Sequence, residues 1–297
     1  MAEDKKLKWL IYGKGWISNY FVETLGKIVP NDIVIFGQAR VDQEINVEKE
    51  LRKILPDRVV CLIGRTHGEG YATIDYLEQK GKIVENIRDN LYAPVTLAIL
   101  CQKYNIHFTY LGTGCIFKYE ESKDNKKFTE DSLPNFFGSS YSVVKGFTDR
   151  LFHLFDDKCL NLRIRMPITS DRSSRNFISK ITSYKKICSI RNSMSVLPDL
   201  LPIMVNMVRD KIVGTINFTN PGTIDHNRIL ELYREMVDPD FQWENFTEEE
   251  QNHVLLAERS NNELDTAKLK AYAPNVKNIE DAVIDVLKEI AYGFNKE

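Results

Sequence analysis

Short apolar runs alternate with amphipathic stretches through the first half of this 297-residue chain, and that alternation narrows its fold more than any other feature. Runs of strand length that are apolar throughout are typical of parallel sheets covered on both faces. The predicted strands are Lys8–Tyr12, Asp32–Phe36, Arg58–Ile63, His107–Leu111 and Cys159–Arg165. The predicted helices between them are Trp16–Ile28, Glu44–Leu55, Ile83–Tyr104 and Ser139–Phe155. The pattern predicts an α/β fold with a doubly wound parallel sheet of the Rossmann type.

The alternation breaks down after Met166, where proline and serine residues interrupt it. One late apolar run, Thr215–Phe218, predicts a further strand that returns to the sheet within residues 212–220. The remaining predicted helices are Ile224–Val237, Phe246–Leu256 and Ile279–Tyr292. We therefore expect a nucleotide-binding domain over residues 1–165 and a smaller, mainly helical substrate lobe over residues 166–297, with the active site in the cleft between them.

Composition argues against several classes of protein. Forty basic residues against forty-two acidic ones do not suit a nucleic-acid binder. The first apolar run, which ends at Tyr12, is too short for a signal peptide or a membrane span. Five scattered cysteines without a CxxC pair argue against disulfides and a zinc site. We expect a cytoplasmic protein with no metal site and no membrane or nucleic-acid partner.

A glycine turn follows the first predicted strand and opens a helix, as dinucleotide-binding loops do. Gly13 would allow the tight turn, and Gly15 would let a pyrophosphate approach the backbone. The helix N-terminus would then supply amide donors and a positive dipole to the phosphates. Lys14, Trp16 and Ile17 lie in the same turn and complete the predicted phosphate contacts. The alternative is a plain glycine turn.

The residues after the second and third predicted strands extend this cofactor site. The second strand ends without the acidic residue that would bind a ribose 2′-hydroxyl, and Arg40 lies just beyond it. A guanidinium there could hold a 2′-phosphate, so we expect NADPH, with NADH as the alternative. Gly64 follows the third predicted strand and is included among the cofactor-binding positions. The alternative for Arg40 is a solvated surface side chain.

Tyr141 and Lys145 are one helical turn apart and share a helix face. A nearby ammonium favours the phenolate, which predicts a lowered pKa for Tyr141 and a better proton donor and acceptor. Thr113 lies just beyond the fourth predicted strand, at the edge where open α/β sheets bind ligands. Its hydroxyl could join Tyr141 in polarising a substrate carbonyl, or it could simply stabilise a turn.

Several segments occur together in one order. They are Gly13-x-Gly15, Thr113-Gly114-Cys115-Ile116-Phe117, Tyr141-x-x-x-Lys145, Arg163-x-Arg165-Met166-Pro167-Ile168, Arg175-Asn176-Phe177-Ile178-x-Lys180, Asn217-Phe218-Thr219-Asn220-Pro221-Gly222 and Arg259-Ser260-Asn261-Asn262-Glu263. With them the chain resembles the bifunctional UDP-4-keto-6-deoxy-glucose 3,5-epimerase/4-reductases of UDP-L-rhamnose synthesis. These are extended short-chain dehydrogenases, and the chain is more remotely similar to dTDP-4-dehydrorhamnose reductase and GDP-L-fucose synthase.

The resemblance implies a function for five residues. Thr113, Tyr141 and Lys145 would form the reductase triad, and Cys115 and Lys180 would form the epimerase acid/base pair, with base and acid not assigned. It further implies NADPH, a nucleotide-sugar substrate and a homodimer.

Substrate contacts are predicted at three further positions. Asn176, Arg259 and Asn262 are expected to bind the substrate, and Arg259 could make bidentate phosphate contacts. Whether the nucleotide is UDP or dTDP is left open.

Two departures from the family pattern are visible. The glycine loop is a residue shorter than the usual GxxGxxG and ends in Ser18. Gly114 stands where monofunctional reductases often carry Asp, which favours the bifunctional branch. The alternatives are a monofunctional reductase of dTDP- or UDP-4-dehydrorhamnose and a non-catalytic NADP-binding regulatory subunit.

Overall fold

The computed structural model describes residues 6–119, 127–155 and 157–294. The strands are β1 (Lys8–Tyr12), β2 (Ile33–Phe36), β3 (Arg58–Cys61), β4 (His107–Thr113), β5 (Cys159–Ile164), β6 (Pro167–Ile168), β7 (Lys186–Ile187), β8 (Ser195–Val196), β9 (Gly214–Asn217) and β10 (Glu244–Asn245). The α-helices are α1 (Trp16–Ile28), α2 (Glu44–Ile54), α3 (Ile83–Ile87), α4 (Ala93–Lys103), α5 (Ser140–Phe152), α6 (Phe177–Thr182), α7 (Leu197–Arg209), α8 (His226–Met236), α9 (Glu248–Val254), α10 (Ala267–Tyr272) and α11 (Ile279–Phe294). Two 3₁₀ turns cover Ile74–Glu78 and His153–Phe155, and a π-helical turn covers Arg88–Tyr92.

Six parallel strands form the main sheet in the order β2-β1-β3-β4-β5-β9. Leu10 in β1, for example, lies opposite Ile35 on one side and Val59 on the other. This sheet confirms the predicted doubly wound α/β fold, and β9 returns to its edge beside β5 as expected. The strand order reverses between β1 and β3, so a ligand crevice is expected at the carboxyl ends of those two strands.

Helices cover both faces of this sheet. α1 and α7 pack on one face, over a core that includes Trp9 and Phe21. α2 and α4 pack on the other, over a core that includes Tyr110 and Phe152. Strands with helices on both sides have no solvent-facing side, which explains the continuous apolar runs.

Helix α7 was not predicted, and it lies within the range expected to form the substrate lobe. Leu200, Met204 and Val208 are one turn apart on it, and all three are fully buried against the sheet layer. Burying each such side chain stabilises the fold by about 1.5–3 kcal/mol relative to exposing it. The chain therefore returns to the first domain with both α7 and β9 before it completes the lobe.

A second apolar core fills the C-terminal lobe. β6 pairs with β8, β7 pairs with β10, and α6, α8 and α11 pack around the core. The predicted helices here begin slightly early because capping residues precede them. The Asp225 carboxylate accepts from the Arg228 amide at the start of α8, and Thr247 with Glu250 forms a capping box at α9.

The predicted helix over Ile83–Tyr104 is interrupted by the π-helical turn between α3 and α4. Asn90 in that turn is fully buried, and its side chain accepts from the Arg65 amide at 2.9 Å and donates to the Arg65 carbonyl at 2.9 Å. Asn86, one turn earlier, accepts from the Asn90 side chain at 2.8 Å. The π-turn thus fixes the loop that follows β3, which is a common use of such turns at functional sites.

Candidate active site

The glycine turn after β1 lies at the crevice where the strand order reverses. Gly13 has φ +106°, and a Cβ there would approach the Leu62 carbonyl carbon, just beyond β3, to 2.8 Å, so only glycine fits. Gly15 is the N-cap residue of α1, and no side chain caps that helix. Its first-turn amides are therefore oriented to receive an anion.

Ser18 stands where the family loop usually carries its last glycine. Its hydroxyl donates to the Gly13 carbonyl at 2.8 Å and closes the shortened turn. The Trp16 side chain does not close this turn, because its indole N–H donates to Asp171 in the C-terminal lobe at 2.7 Å. Tyr20 donates to the same carboxylate at 2.9 Å, so Asp171 ties α1 to that lobe.

Arg40 lies at the exposed tip of β2 and pairs with Asp42 at 2.6 Å. Lys14 donates to Gln38 at 3.2 Å beside it. Gly64 lies in the loop after β3, next to Arg65, whose backbone is hydrogen-bonded to the Asn90 side chain. A Cβ at Gly64 would lie 3.6 Å from Asn90 Oδ1. The predicted cofactor positions thus line one edge of the sheet, from the tip of β2 to the end of β3.

The predicted reductase triad comes together at the carboxyl end of β4. This strand runs two residues farther than predicted and ends on Thr113. Ser139 caps α5 by accepting from the Ser142 amide at 3.1 Å, which places Tyr141 in the first turn and Lys145 in the next. Thr113, Tyr141 and Lys145 are all buried, and the Thr113 side chain acts to lower the pKa of Tyr141, so the two residues are neighbours. The Thr113 hydroxyl donates to the Ile164 carbonyl at 3.3 Å and accepts from the Cys115 amide at 3.1 Å.

The expected effect of Lys145 on Tyr141 is wrong for this structure. Burial raises the pKa of Tyr141, and the nearby Cys115 raises it further, against opposing effects of Thr113 and Arg175. The Lys145 ammonium instead donates to the hydroxyl of Tyr110 on β4, and it lies 4.6 Å from that ring centroid against 6.0 Å for Tyr141. Burial lowers the pKa of Lys145 to about 8.

The two predicted epimerase residues face the same region. Cys115 is partly exposed and packs beside Tyr141 in a small apolar cluster with Tyr76 and Leu77. Lys180 lies on α6, and burial lowers its pKa to about 8, with the charges of Arg175 and Arg259 acting in the same direction. Arg175 acts electrostatically on both Tyr141 and Lys180, so it lies near both residues.

The three predicted substrate contacts differ in their surroundings. Asn176 is fully buried and caps α6, accepting from the Ile178 amide at 3.2 Å. Asn262 is fully buried too, and its amide donates to the carbonyls of Gly114 and Phe117 at 3.0 and 2.8 Å. Both side chains hold backbone of the site, so direct contact with a substrate stays a prediction.

Arg259 does lie at the cleft, where it pairs with Asp75 at 2.6 Å. Asp75 also accepts from the amides of Leu256 and Ala257 at 3.1 and 2.9 Å, so it anchors the segment that carries the arginine. Nothing in the sequence pattern marks Asp75.

Arg175 and Tyr110 were also not identified as site residues. Arg175 donates to Thr66 at 2.6 Å, and its Nη1 is buried with no hydrogen-bond partner among the described residues. Tyr110 lies three residues before Thr113 on the same strand, which placed it near the site but gave no reason to pair it with Lys145. The described residues hold no group of His, Cys, Asp and Glu arranged to bind a metal ion. No helix within those residues is long and apolar enough to cross a membrane.

No family model matches the chain. A protein of Acanthamoeba polyphaga mimivirus is 54% identical over 289 residues, covering 96% of this chain and 99% of that protein. The crystal structure of this mimivirus UDP-rhamnose synthase superposes with a TM-score of 0.93 over 96% of this chain and 100% of that one.

Two further relatives are more distant. A bifunctional dTDP-4-dehydrorhamnose 3,5-epimerase/dTDP-4-dehydrorhamnose reductase of Arabidopsis thaliana is 38% identical over 295 residues, covering 97% of this chain and 95% of that protein. A dTDP-4-dehydrorhamnose reductase of Bacillus anthracis, solved with NADP, is 13% identical with a TM-score of 0.79 over 96% of this chain and 100% of that one. The last of these supports the fold alone.

Proposed function

The chain belongs to the family of nucleotide-sugar 3,5-epimerase/4-reductases, and from that premise we propose that it converts UDP-4-keto-6-deoxy-D-glucose to UDP-L-rhamnose with NADPH. The observation that supports the proposal is that Thr113 and Cys115 are both neighbours of Tyr141, with the Cys115 amide donating to Thr113 at 3.1 Å. One pair of hydroxyl donors can serve two reactions that both build negative charge on the same substrate oxygen.

Epimerisation depends on the 4-keto group, which acidifies the hydrogens on C3 and C5. Removing either proton gives an enolate whose charge lies on O4, where Thr113 and Tyr141 donate hydrogen bonds, as in an oxyanion hole. Inversion needs a base on one face of the ring and an acid on the other. Cys115 and Lys180 supply this pair, and a lysine whose pKa falls to about 8 can exchange protons near neutral pH.

Reduction uses the same two hydroxyls. NADPH supplies the hydride that C4 receives. Tyr141 then protonates O4, while Thr113 holds the developing alkoxide by the hydrogen bond that held the enolate. Lys145 donates to the Tyr110 hydroxyl and lies 6.0 Å from the Tyr141 ring centroid, so it would support catalysis as a buried cation near Tyr141 that does not contact its hydroxyl.

The residues at the sheet edge fit a dinucleotide. The positive φ of Gly13 and the uncapped N-terminus of α1 make room and amide donors for a diphosphate. Gly15, Trp16 and Ile17 would contact it through backbone. Arg40 would hold the 2′-phosphate after exchanging its Asp42 partner, which favours NADPH over NADH.

The cleft also suits an anionic substrate. Arg175 and Lys180 make no ion pair with a carboxylate in the described parts of the chain, whereas Arg259 is paired with Asp75. This leaves positive charge for the diphosphate and the enolate oxygen. Arg259 stays the predicted diphosphate ligand, and it would have to exchange its pairing with Asp75 for the phosphate.

Asn176 and Asn262 are proposed to act by holding α6 and the Thr113–Phe117 segment in place. Their amides are already engaged with backbone groups of those segments. A cytoplasmic location stays a prediction, and the sequence leaves the choice between UDP and dTDP open.

A homodimer would bury the apolar surface of α3, α4 and α5. Val84, Ile99 and Phe147 are 69%, 49% and 62% exposed there. Charged substitution of Phe147 to Asp is expected to give monomers in sedimentation, while Val254→Asp, at an exposed position on α9, leaves the mass unchanged. Equal masses for wild type and Phe147→Asp would contradict this interface.

The function is tested by supplying UDP-4-keto-6-deoxy-D-glucose and NADPH in deuterated water. We expect UDP-L-rhamnose with deuterium at C3 and C5. The Cys115→Ser variant should lose this exchange yet still reduce a substrate that is already epimerised. Reduction without deuterium would leave a monofunctional 4-reductase. NADPH binding without turnover of any 4-keto sugar nucleotide would leave a regulatory subunit.

A further inference from the structure

Arg165, the residue after β5, is a buried cation that forms no ion pair with an acidic side chain of the described residues. Only 1% of its surface is exposed. Within the part of the chain that the structure describes, its guanidinium donates only to neutral acceptors. These are the Ser193 carbonyl at 3.2 Å, the Gly114 carbonyl at 3.0 Å, Ser260 Oγ and the Ser260 carbonyl at 2.9 Å each, and Asn192 Oδ1 at 2.6 Å.

Arg163, two residues earlier near the end of β5, is a buried arginine whose charge is compensated. It is equally buried, and Asp149 accepts from it twice, at 2.8 and 2.7 Å. Such a bidentate pair satisfies both the charge and the hydrogen bonds of a guanidinium. Arg165 has the hydrogen bonds without the compensating charge, and an uncompensated buried charge is strongly unfavourable. An anion that forms only during turnover would account for it.

Cys115 is the group best placed to carry that anion. The Arg165 stem lies 3.1 Å from where a Gly114 Cβ would be, and Nη1 donates to the carbonyl of the Gly114–Cys115 peptide. Burial lowers the pKa of Arg165, and Cys115 and Tyr119 lie near enough to act on its guanidinium in the opposite direction. The same peptide is linked to the reductase site, because the Cys115 amide donates to Thr113 Oγ1 at 3.1 Å.

We propose that Arg165 is a positioning residue for epimerisation, whose fixed positive charge behind the Gly114–Cys115 peptide stabilises negative charge on the Cys115 sulfur. The proposal rests on the proposed function, since it takes Cys115 as one of the two acid/base groups. The proton passes between Cys115 and the sugar carbon, and Arg165 neither gives nor takes one. It lowers the free energy of the step in which the sulfur is without its proton.

A near-isosteric substitution can neutralise Arg165 without removing it. Asn192→Asp places a carboxylate on the guanidinium where an amide oxygen lies now. The control, Asn192→Ala, loses the same amide donors to the Ile190 carbonyl and Asn261, and it also loses the oxygen that accepts from Arg165 and from the Asn262 amide, but it adds no charge. Because the Ala variant loses more hydrogen bonds than the Asp variant, a slower reaction in Asn192→Asp than in Asn192→Ala reports charge.

The readout is the rate at which iodoacetamide alkylates Cys115, followed by peptide mass spectrometry. The reaction needs the thiolate, and the assay is selective because the other four cysteines are buried. At neutral pH we expect Asn192→Asp to lower the rate about tenfold or more, the scale expected of a nearby buried charge. We expect Asn192→Ala to stay close to wild type, Arg165→Gln to fall with Asn192→Asp, and Arg165→Lys to recover part of the loss.

The alkylation result and the deuterium result separate the two claims. Wild-type enzyme that incorporates no deuterium would remove the epimerase function, whatever the alkylation rates. Normal deuterium uptake with equal alkylation of wild type and Asn192→Asp would overturn the proposal for Arg165 alone. If Arg165→Gln does not fold, which alkylation of all five cysteines reveals, the comparison of Asn192→Asp with Asn192→Ala decides.

Discussion

Replacing Lys180 with Met is expected to make the protein more stable while removing epimerisation. Folding takes the Lys180 ammonium out of water and brings it near Arg175 and Arg259. Its pKa falls from 10.5 to about 8, which at about 1.4 kcal/mol per unit of pKa corresponds to about 3 kcal/mol. The side chain keeps part of its hydration, so we expect a gain of about 1–2 kcal/mol for Lys180→Met at pH 7.

The pH dependence of this gain follows from the direction of the change in pKa. Below pH 8 Lys180 is protonated in both the folded and the unfolded chain, so the folded state carries the full free-energy cost of burying the charge. Between pH 8 and 10.5 Lys180 loses its proton in the folded protein but keeps it in the unfolded chain, so this free-energy cost decreases as the pH rises. Above 10.5 both states are neutral, and the gain from Met disappears.

Urea unfolding of wild type and Lys180→Met at pH 7 and near pH 10.5 measures the gain in the free energy of unfolding at each pH. Lys185→Met, at an exposed position five residues on, is the matched control and should change little at either pH. A Met variant less stable than wild type at pH 7, or a gain that does not depend on pH, would refute the reasoning.

Three further variants probe the site. Tyr141→Phe should lower the rate of reduction, measured by stopped flow, at least about 10²-fold. The NADPH dissociation constant, measured by fluorescence titration, should stay the same. Unchanged turnover would contradict the assignment of Tyr141 as the proton donor. Gly114→Ala should destabilise the protein by about 1–3 kcal/mol in thermal unfolding, because the added Cβ would lie 2.6 Å from Leu264 Cδ1 and 3.1 Å from the Arg165 stem; an unchanged melting temperature would count against this packing. Tyr110→Phe removes the hydroxyl that accepts from the Lys145 ammonium, so the pKa of Lys145 should fall below about 8. The alkaline limb of the plot of reduction rate against pH should then move to lower pH. An unchanged alkaline limb would show that Tyr110 does not affect catalysis.

Local patterns in the sequence predicted the sheet and its order of elements well. The helix α1 was predicted at its observed bounds, because the glycine turn marks its start and its apolar face repeats with helical spacing. Helix α7 was missed because Pro198 and Pro202 interrupt its pattern, yet its buried face holds it on the sheet. The π-helical turn was missed as well, because α3 and α4 run into it from both sides without a break and no capping residue or glycine marks it.

Site residues were predicted where a motif or a strand end marks them and missed where their role depends on a distant partner. Thr113, Tyr141 and Lys145 come together because a strand end and a helix start meet at one sheet edge. The pairing of Lys145 with Tyr110 is a contact across the core that spacing along the chain does not reveal. Asn262 is predicted to bind the substrate, and the structure adds that its buried amide donates to the Gly114 carbonyl, a contact that spacing along the chain does not reveal.

The central claim is that one pair of hydroxyls holds the charge on O4 in both reactions, and Thr113→Val tests it most directly. Deuterium exchange at C3 and C5 and reduction of UDP-4-keto-L-rhamnose are measured on the same preparation. We expect both rates to fall together, by about 10²–10³-fold. Thr109→Val on the same strand, which removes a buried hydroxyl with no hydrogen-bond partner among the described residues, should leave both unchanged. Exchange at the wild-type rate with reduction lost would contradict the shared site.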